Sequence, residues 1–178
     1  MQQEEIDRVR GYLLSQGEKR SYVELWPRAV AARLQVLDAL EGVTEEQASY
    51  VPAPGEWSIR EVALHVLNGS RRTQQVVAVL AAGKPATSEN VDPPREATDL
   101  SIEELRRQLL RDSVDWSVLT DRLPEKPSFD AMARHQFFGE LHSRAWYLFQ
   151  RVHDIDHANQ IAAVKQASGY PDAPARRA

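Results

Sequence analysis

Cysteine is absent from this chain of 178 residues, and it also lacks a basic stripe and any long apolar run. Without cysteine there is no disulfide and no thiolate metal site, so any metal must bind nitrogen and oxygen ligands. The longest apolar run, VVAVLAA, is too short to span a bilayer. The net charge of -4, with basic and acidic residues interspersed, argues against a nucleic-acid partner.

These absences favour a cytoplasmic protein that has no nucleic-acid or membrane partner. The lack of cysteine fits a reducing compartment. The first ten residues, MQQEEIDRVR, are acidic and polar, unlike a signal peptide. We therefore expect a protein of the cytoplasm.

Strand-like alternation is also missing, and apolar residues recur at helical spacing along most of the chain. We predict an all-α fold, a four-helix bundle with a short extra N-terminal helix. The predicted helices cover residues 4–16, 22–40, 58–82, 101–122 and 139–166, approximately. We expect one domain over residues 1–178, with a core at about 22–166 and a flexible tail at 167–178.

Two of the predicted helices carry clear start signals. Ser58 and Glu61 form one capping-box pattern, and Ser101 and Glu104 form another. Pro27 lies within the first long helical segment, where it predicts either a kink or a helix that starts at the proline.

The segment VHDIDHANQI places His153 and His157 four residues apart. On a helix such side chains share one face, with Cβ atoms about 5–6 Å apart, and can converge on one metal ion. The HExxH protease motif is absent because Asp-Ile-Asp separates the histidines. Spacing alone favours the plainer interpretation, a pair of hydrogen-bonded or partly exposed histidines.

A third histidine facing this pair would make a three-nitrogen site. His65 lies in the second long helix among apolar neighbours, where it is either a packed histidine or the third ligand. His142 precedes His153 by eleven residues, which is about 16 Å along a helix and too far to share an ion. His135 falls in a predicted loop.

Three motifs resemble the DinB-like (YfiT-like) superfamily over roughly residues 26–165. They are EWSIREVALH at 56–65, HQFFGEL at 135–141 and WYLFQRVHDIDHANQI at 146–161. Members of that family are four-helix bundles that bind a divalent metal through one histidine on the second helix and an H-x-x-x-H on the last. The resemblance therefore implies that His65, His153 and His157 are the metal ligands.

Three protein ligands would leave one coordination position open, which is typical of catalytic sites. Such a metal can lower the pKa of bound water or hold a thiol as its thiolate. Characterised relatives use a low-molecular-weight thiol, such as bacillithiol or mycothiol, in S-transfer or isomerisation. The resemblance thus implies a metal-dependent thiol S-transferase or a related detoxification enzyme. The alternatives are a metal-dependent hydrolase and a non-catalytic metal-binding stress-response protein.

The expected cofactor is a divalent ion, with Zn²⁺ or Ni²⁺ placed first and Fe²⁺, Mn²⁺ or copper as alternatives. A small-molecule thiol and an electrophile are the expected substrates, and exposed bundle faces suggest a homodimer. An enzyme needs a pocket over the open position, which we expect from the loops at 84–100 and 124–138. A binding module could instead fill that position with Gln160 or His135.

Residues around the histidine stripe have weaker assignments. Gln160 either touches a metal-bound water or faces neighbouring backbone, and Asp156 could orient a ligand imidazole. Asp154 is expected on a solvated face, Trp57 as a hydrophobic staple before its helix, and Trp146 in the core. Three arginines could meet an anionic thiol: Arg60, Arg71 and Arg72.

Overall fold

The computed structural model describes residues 2–89 and 91–172 and contains six helices and one hairpin within them. The elements are α1 Gln3–Lys19, α2 Tyr22–Ala39, α3 Glu45–Ser49, α4 Ile59–Ala81, α5 Ile102–Arg122, β1 Met132–His135, β2 Gly139–His142 and α6 Ser143–Lys165. Helices α2, α4, α5 and α6 form the bundle, and α1 packs against α6. The predicted all-α four-helix bundle with an extra N-terminal helix is confirmed.

The interior of the bundle has two apolar clusters with a polar layer between them. One cluster surrounds Trp146 and Leu80, and the other surrounds Leu67 and Ile161. The residues that lie between the clusters along their helices are buried and polar: Arg33, Ser70, Asp112, Gln150, His153 and Asp154. Each bundle helix therefore carries polar side chains into the centre of the protein.

Capping explains where the bundle helices begin. The Ser58–Glu61 capping box is present as predicted. The Ser101 hydroxyl accepts from the Glu104 backbone N–H, but the Glu104 side chain contacts other side chains of α5. A further capping box, Ser21 with Glu24, starts α2 at Tyr22, so Pro27 lies inside this helix and not at its start.

The hairpin corrects two expectations from the sequence. Residues 139–142, predicted as the start of the last helix, form β2, and His135, predicted in a loop, ends β1. The strands are antiparallel, with Met132 opposite His142 and His135 opposite Gly139. Gly139 has a φ of 66°, a left-handed conformation that glycine adopts without a Cβ clash. The strands have only four residues each, which is too short for an alternation signal.

Residues 167–172 follow α6 back across α3. The Tyr170 ring packs edge-on against Tyr50 at 5.6 Å between centroids, and Gln47 donates to the Pro171 carbonyl at 2.9 Å. The rest of the predicted tail, 173–178, lies outside the described residues. No helix in the described part of the chain is both long and apolar enough to cross a membrane.

Candidate metal centre

The three predicted ligand histidines meet where α4 faces α6. His65 comes from the second turn of α4, and His153 and His157 lie one turn apart on α6. One ring nitrogen from each lies within 4.8 Å of the other two. His65 and His153 are buried and His157 is partly buried. The structure therefore brings together three side chains that the sequence separates by up to 92 positions, and the group could hold a metal ion.

Hydrogen bonds to the outer nitrogens orient two of the rings. His65 Nδ1 lies 2.9 Å from the Pro93 carbonyl oxygen, and His157 Nδ1 lies 2.8 Å from Gln160 Oε1. Because both oxygens only accept, each Nδ1 carries a proton and donates, and in the neutral form of either ring Nε2 keeps a bare lone pair. This is the arrangement by which proteins fix the tautomer of a metal-binding histidine.

The spacing of two ring nitrogens at the centre fits a shared metal ion as well as a hydrogen bond. His65 Nε2 and His153 Nε2 are 3.2 Å apart. Two nitrogens that bind one tetrahedral ion at 2.0–2.1 Å are separated by about 3.3 Å. His153 Nδ1 is buried and has no hydrogen-bond partner among the described residues, with Asp154 Oδ1 4.0 Å away. The donor set, three imidazoles without thiolate, suits Zn²⁺, Ni²⁺ and similar divalent ions.

Burial keeps His157, at the edge of the site, uncharged. Desolvation, reinforced by the His153 ring, lowers the pKa of His157 to about 3. A ring that stays neutral near pH 7 presents a lone pair, which is the form that binds metals.

The other two histidines do not belong to the group. His135 Nδ1 accepts from the backbone N–H groups of Phe137 and Phe138 and so closes the hairpin turn. His142 Nδ1 accepts from the Ala145 N–H and caps α6. Burial lowers the pKa of His135 to about 4.

The residues around the histidine stripe were predicted with mixed success. Gln160 holds His157 and does not fill a coordination position. Trp146 is fully buried, as predicted, and the edge of Trp57 packs on the His65 ring at 5.1 Å between centroids. Asp156 is exposed and makes no hydrogen bond to an imidazole within the described part of the chain.

The prediction that Asp154 lies on a solvated face is wrong. Its carboxylate is 1% exposed and accepts from Arg33 Nε at 2.9 Å and from Gln150 Nε2 at 2.7 Å. Arg33 also donates to Asp112 at 2.7 Å. Burial raises the pKa of the Asp154 carboxyl, but the Arg33 guanidinium outweighs burial and lowers it overall. A buried ionic network therefore lies directly beside His153.

Sequence reasoning missed Asp92, which the loop between α4 and α5 brings to the site. Asp92 Oδ1 is 3.2 Å from His65 Nε2, and Gln136 from the hairpin turn donates to Oδ2. A single aspartate in a polar loop gives no periodic signal by which it could have been found.

An open cavity of about 390 Å³ is lined by His153 and His157, but not by His65. Its walls include Asp92 and the side chains of both predicted loops, and much of its surface is apolar: Val9, Phe137, Phe138, Phe149, Val152 and Ile155. An enzyme needs such a pocket beside the open coordination position, and the cavity lies next to two of the three candidate ligands.

The three arginines that were candidates for anion binding lie elsewhere. Arg71 and Arg72 line a separate cavity of about 550 Å³ beside Pro93, which none of the three histidines lines. Arg60 pairs with Glu45. None of these arginines lines the cavity of about 390 Å³.

Comparisons with known proteins agree with the architecture. The family model described as the DinB superfamily matches residues 28–161. YuaE of Bacillus subtilis (strain 168), described as uncharacterized, is 25% identical over 154 residues, which cover 76% of this chain and 93% of YuaE. The crystal structure of a DinB-like protein of Bacillus subtilis, YjoA, matches with a TM-score of 0.60 and 16% identity, covering 85% of this chain and 96% of that chain. At that identity the structural match shows the fold alone.

Proposed function

The chain belongs to the DinB superfamily, and on that premise we propose that His65, His153 and His157 hold a divalent metal ion for chemistry on a small-molecule thiol. The proposed reaction is transfer of the thiol sulfur to an electrophile, as in a low-molecular-weight-thiol S-transferase or a related detoxification enzyme. The proposed ion is Zn²⁺ or Ni²⁺, with Fe²⁺ or Mn²⁺ as alternatives.

The observation that carries the proposal is the convergence of three imidazole nitrogens at the cavity over α6. The bare Nε2 atoms face inward because Pro93 and Gln160 hold the protons on the opposite nitrogens. A divalent metal held there would lower the pKa of a bound thiol, so that the sulfur reacts as the thiolate.

The chain itself supplies no thiol. With 0 cysteines, any sulfur that reacts at this site must arrive with a co-substrate. The cavity supports this requirement because it is open to solvent and partly lined by apolar side chains. Phe138 and Phe149 give an apolar surface on which the carbon skeleton of an electrophile can pack.

A second candidate function is a metal-binding module without turnover, such as a stress-response protein. The approach of Asp92 to His65 favours this candidate, because a fourth protein ligand would close the site. A metal-dependent hydrolase would use the same histidines with water in place of the thiol.

Metal content of the purified protein tests the proposal. Wild type, prepared without a metal-affinity tag, should contain close to one divalent ion per chain by mass spectrometry. His157→Ala should lose the ion, whereas His135→Gln should keep it, because His135 lines the same cavity outside the three-nitrogen group. Turnover of an electrophile that depends on both the ion and an added thiol would support the S-transferase.

Three results would contradict the proposal. A wild type that stays folded and metal-free after incubation with Zn²⁺ and Ni²⁺ would refute the metal site. A metal-loaded protein that turns over an ester or amide without any thiol would favour the hydrolase, and one without turnover in a broad thiol screen would favour the binding module.

A further inference from the structure

We propose that Asp92 is a fourth protein ligand of the same ion and covers the coordination position that a thiol needs. This inference rests on the proposed function, because it concerns access to the three-histidine site. The carboxylate would act as a displaceable cover on a site whose other ligands are fixed on helices.

The spacing of the ligand atoms supports a direct bond. Asp92 Oδ1 lies 3.2 Å from His65 Nε2, the same distance that separates His65 Nε2 from His153 Nε2. Ligand atoms that share one tetrahedral ion at 2.0–2.1 Å lie about 3.3 Å apart, so the Asp92–His65 spacing is that of two ligands of one ion. Asp92 lies outside the group of three histidines whose ligand atoms are all within 4.8 Å of one another, so its carboxylate would have to approach His153 and His157 more closely to bind the ion.

The chemistry of the atoms points the same way. The proton of neutral His65 is on Nδ1, which donates it to the Pro93 carbonyl, so Nε2 has none to give to Asp92. A carboxylate oxygen and an imidazole lone pair at this distance repel each other unless a cation lies between them. A metal ion shared by both satisfies the two acceptors.

The Asp92 carboxylate is aimed by its neighbours in the loop and the hairpin. Gln136 occupies Oδ2, which leaves Oδ1 to face His65. Val91 before it is 3% exposed, and the Pro93 carbonyl after it holds the His65 ring. One short segment, residues 91–93, therefore positions both a ligand and the support of another ligand.

Asp92 differs from the histidines in how easily it can leave. The three histidines project from α4 and α6, whereas Asp92 lies in a loop segment without helix or strand, and its side chain is 34% exposed. When a thiol binds, its sulfur would replace Oδ1 and its proton would pass to the solvent. The carboxylate thus competes with the thiol, and a strong cover raises the apparent dissociation constant of the thiol.

The substitution Asp92→Asn tests the proposal, with Asp156→Asn as its matched control. Both aspartates line the same cavity, and both substitutions remove one negative charge without changing side-chain size. Asp156 is exposed and one residue from His157, so the control corrects for the general field of a carboxylate. Zn²⁺ affinity would be measured by chelator competition, and ligation by the visible absorption of the Co²⁺-loaded proteins.

Asp92→Asn should bind Zn²⁺ about 100-fold or more weakly than wild type. Loss of a residue that only supports a ligand typically weakens metal binding about 10–100-fold, and loss of a ligand should cost at least as much. Its Co²⁺ spectrum should change, whereas Asp156→Asn should match wild type in both measurements. With metal saturating, Asp92→Asn should bind cysteine, bacillithiol or mycothiol about tenfold or more tightly than wild type, because a position covered 90% of the time weakens binding tenfold.

Several outcomes would overturn this inference. An unchanged Co²⁺ spectrum would show that Asp92 is not a ligand, whatever its effect on affinity. Stronger Zn²⁺ binding by Asp92→Asn would mean that Asp92 pairs with a protonated His65 instead. Weaker thiol binding by Asp92→Asn would refute the cover.

The failure of the proposed function gives a different pattern. If wild type binds no metal, the three-histidine site itself is wrong, and the inference falls with it. If metal binds and responds to Asp92→Asn as expected but no variant binds a thiol, Asp92 is a ligand of a closed site. The thiol chemistry and the cover are then both refuted.

Discussion

Replacing Gly69 by alanine tests whether the segment at residues 91–93 can pack on α4 only where the helix has no side chain. Gly69 lies in the interior of α4, where glycine weakens a helix by about 1 kcal/mol relative to alanine. A Cβ at this position would lie 2.9 Å from the Val91 carbonyl oxygen and 3.2–3.3 Å from two atoms of the His153 ring. The glycine therefore allows the loop and a candidate ligand to pack directly on the helix.

The expected change in stability is a balance of two terms. The helix gains about 1 kcal/mol from alanine, and overpacking against a backbone carbonyl costs about 1–3 kcal/mol. Gly69→Ala should therefore lower the free energy of unfolding by up to about 2 kcal/mol. Gly11→Ala is the matched control, because a Cβ on this exposed glycine of α1 has nothing within 4 Å. The control should be stabilised by about 0.5–1 kcal/mol.

Urea unfolding with a chelator present gives both free energies, and chelator competition gives the metal affinities. Because the added methyl group displaces the His153 ring or the Val91 carbonyl, Gly69→Ala should also bind metal about 10–100-fold more weakly. Gly11→Ala should bind metal like wild type. If Gly69→Ala is as stabilising as the control and binds metal normally, the close packing of the segment on α4 has no consequence, and this reasoning is wrong.

Two further predictions concern the buried charges and histidines. His135 has its pKa lowered to about 4 in the folded state and titrates near 6.5 when unfolded. The unfolded chain thus binds more protons between these values, and stability should fall by about 3 kcal/mol as the pH drops from 6.5 to 4. His135→Gln should reduce that slope in urea unfolding of the metal-free protein, and an identical slope would contradict the burial of a neutral ring. Arg33→Leu leaves Asp112 and Asp154 buried without their cation, so it should cost about 3–5 kcal/mol. Adding Asp112→Asn and Asp154→Asn should recover part of that loss, and a cost below about 1 kcal/mol for Arg33→Leu alone would refute the pairing.

The bundle and the shared face of His153 and His157 could be predicted because both depend on helical periodicity, whereas the grouping of His65 with them was implied by the family resemblance. The Ser58–Glu61 box fixed the start of α4 and so the direction in which His65 points. The i, i+4 spacing placed His153 and His157 on one face, and each conclusion needed only local geometry.

Asp154 could not be placed from a helical wheel, because the wheel assumes one buried face. Helix α6 packs against α1, α2 and α4 at once, and residues 143–150 are buried on all sides. A polar residue beside the histidine stripe is then buried as well, and its partner Arg33 is 121 positions away in the chain. Asp92 and the hairpin could not be predicted for a related reason, because loops and four-residue strands leave no periodic pattern in the sequence.

The segment at residues 91–93 links the candidate metal site to the order of the loop between α4 and α5. Val91 packs in the apolar cluster around Trp146, and Pro93 holds the His65 ring through its carbonyl. A change that loosens the segment should therefore let the His65 ring rotate more freely and lower the affinity for metal. Coupling of this kind is reciprocal, so a bound metal would stabilise the segment by the same free energy with which the ordered segment would favour metal. The glycine at position 69 is the structural condition for this link, since a side chain there would push the segment from the helix that carries the ligand.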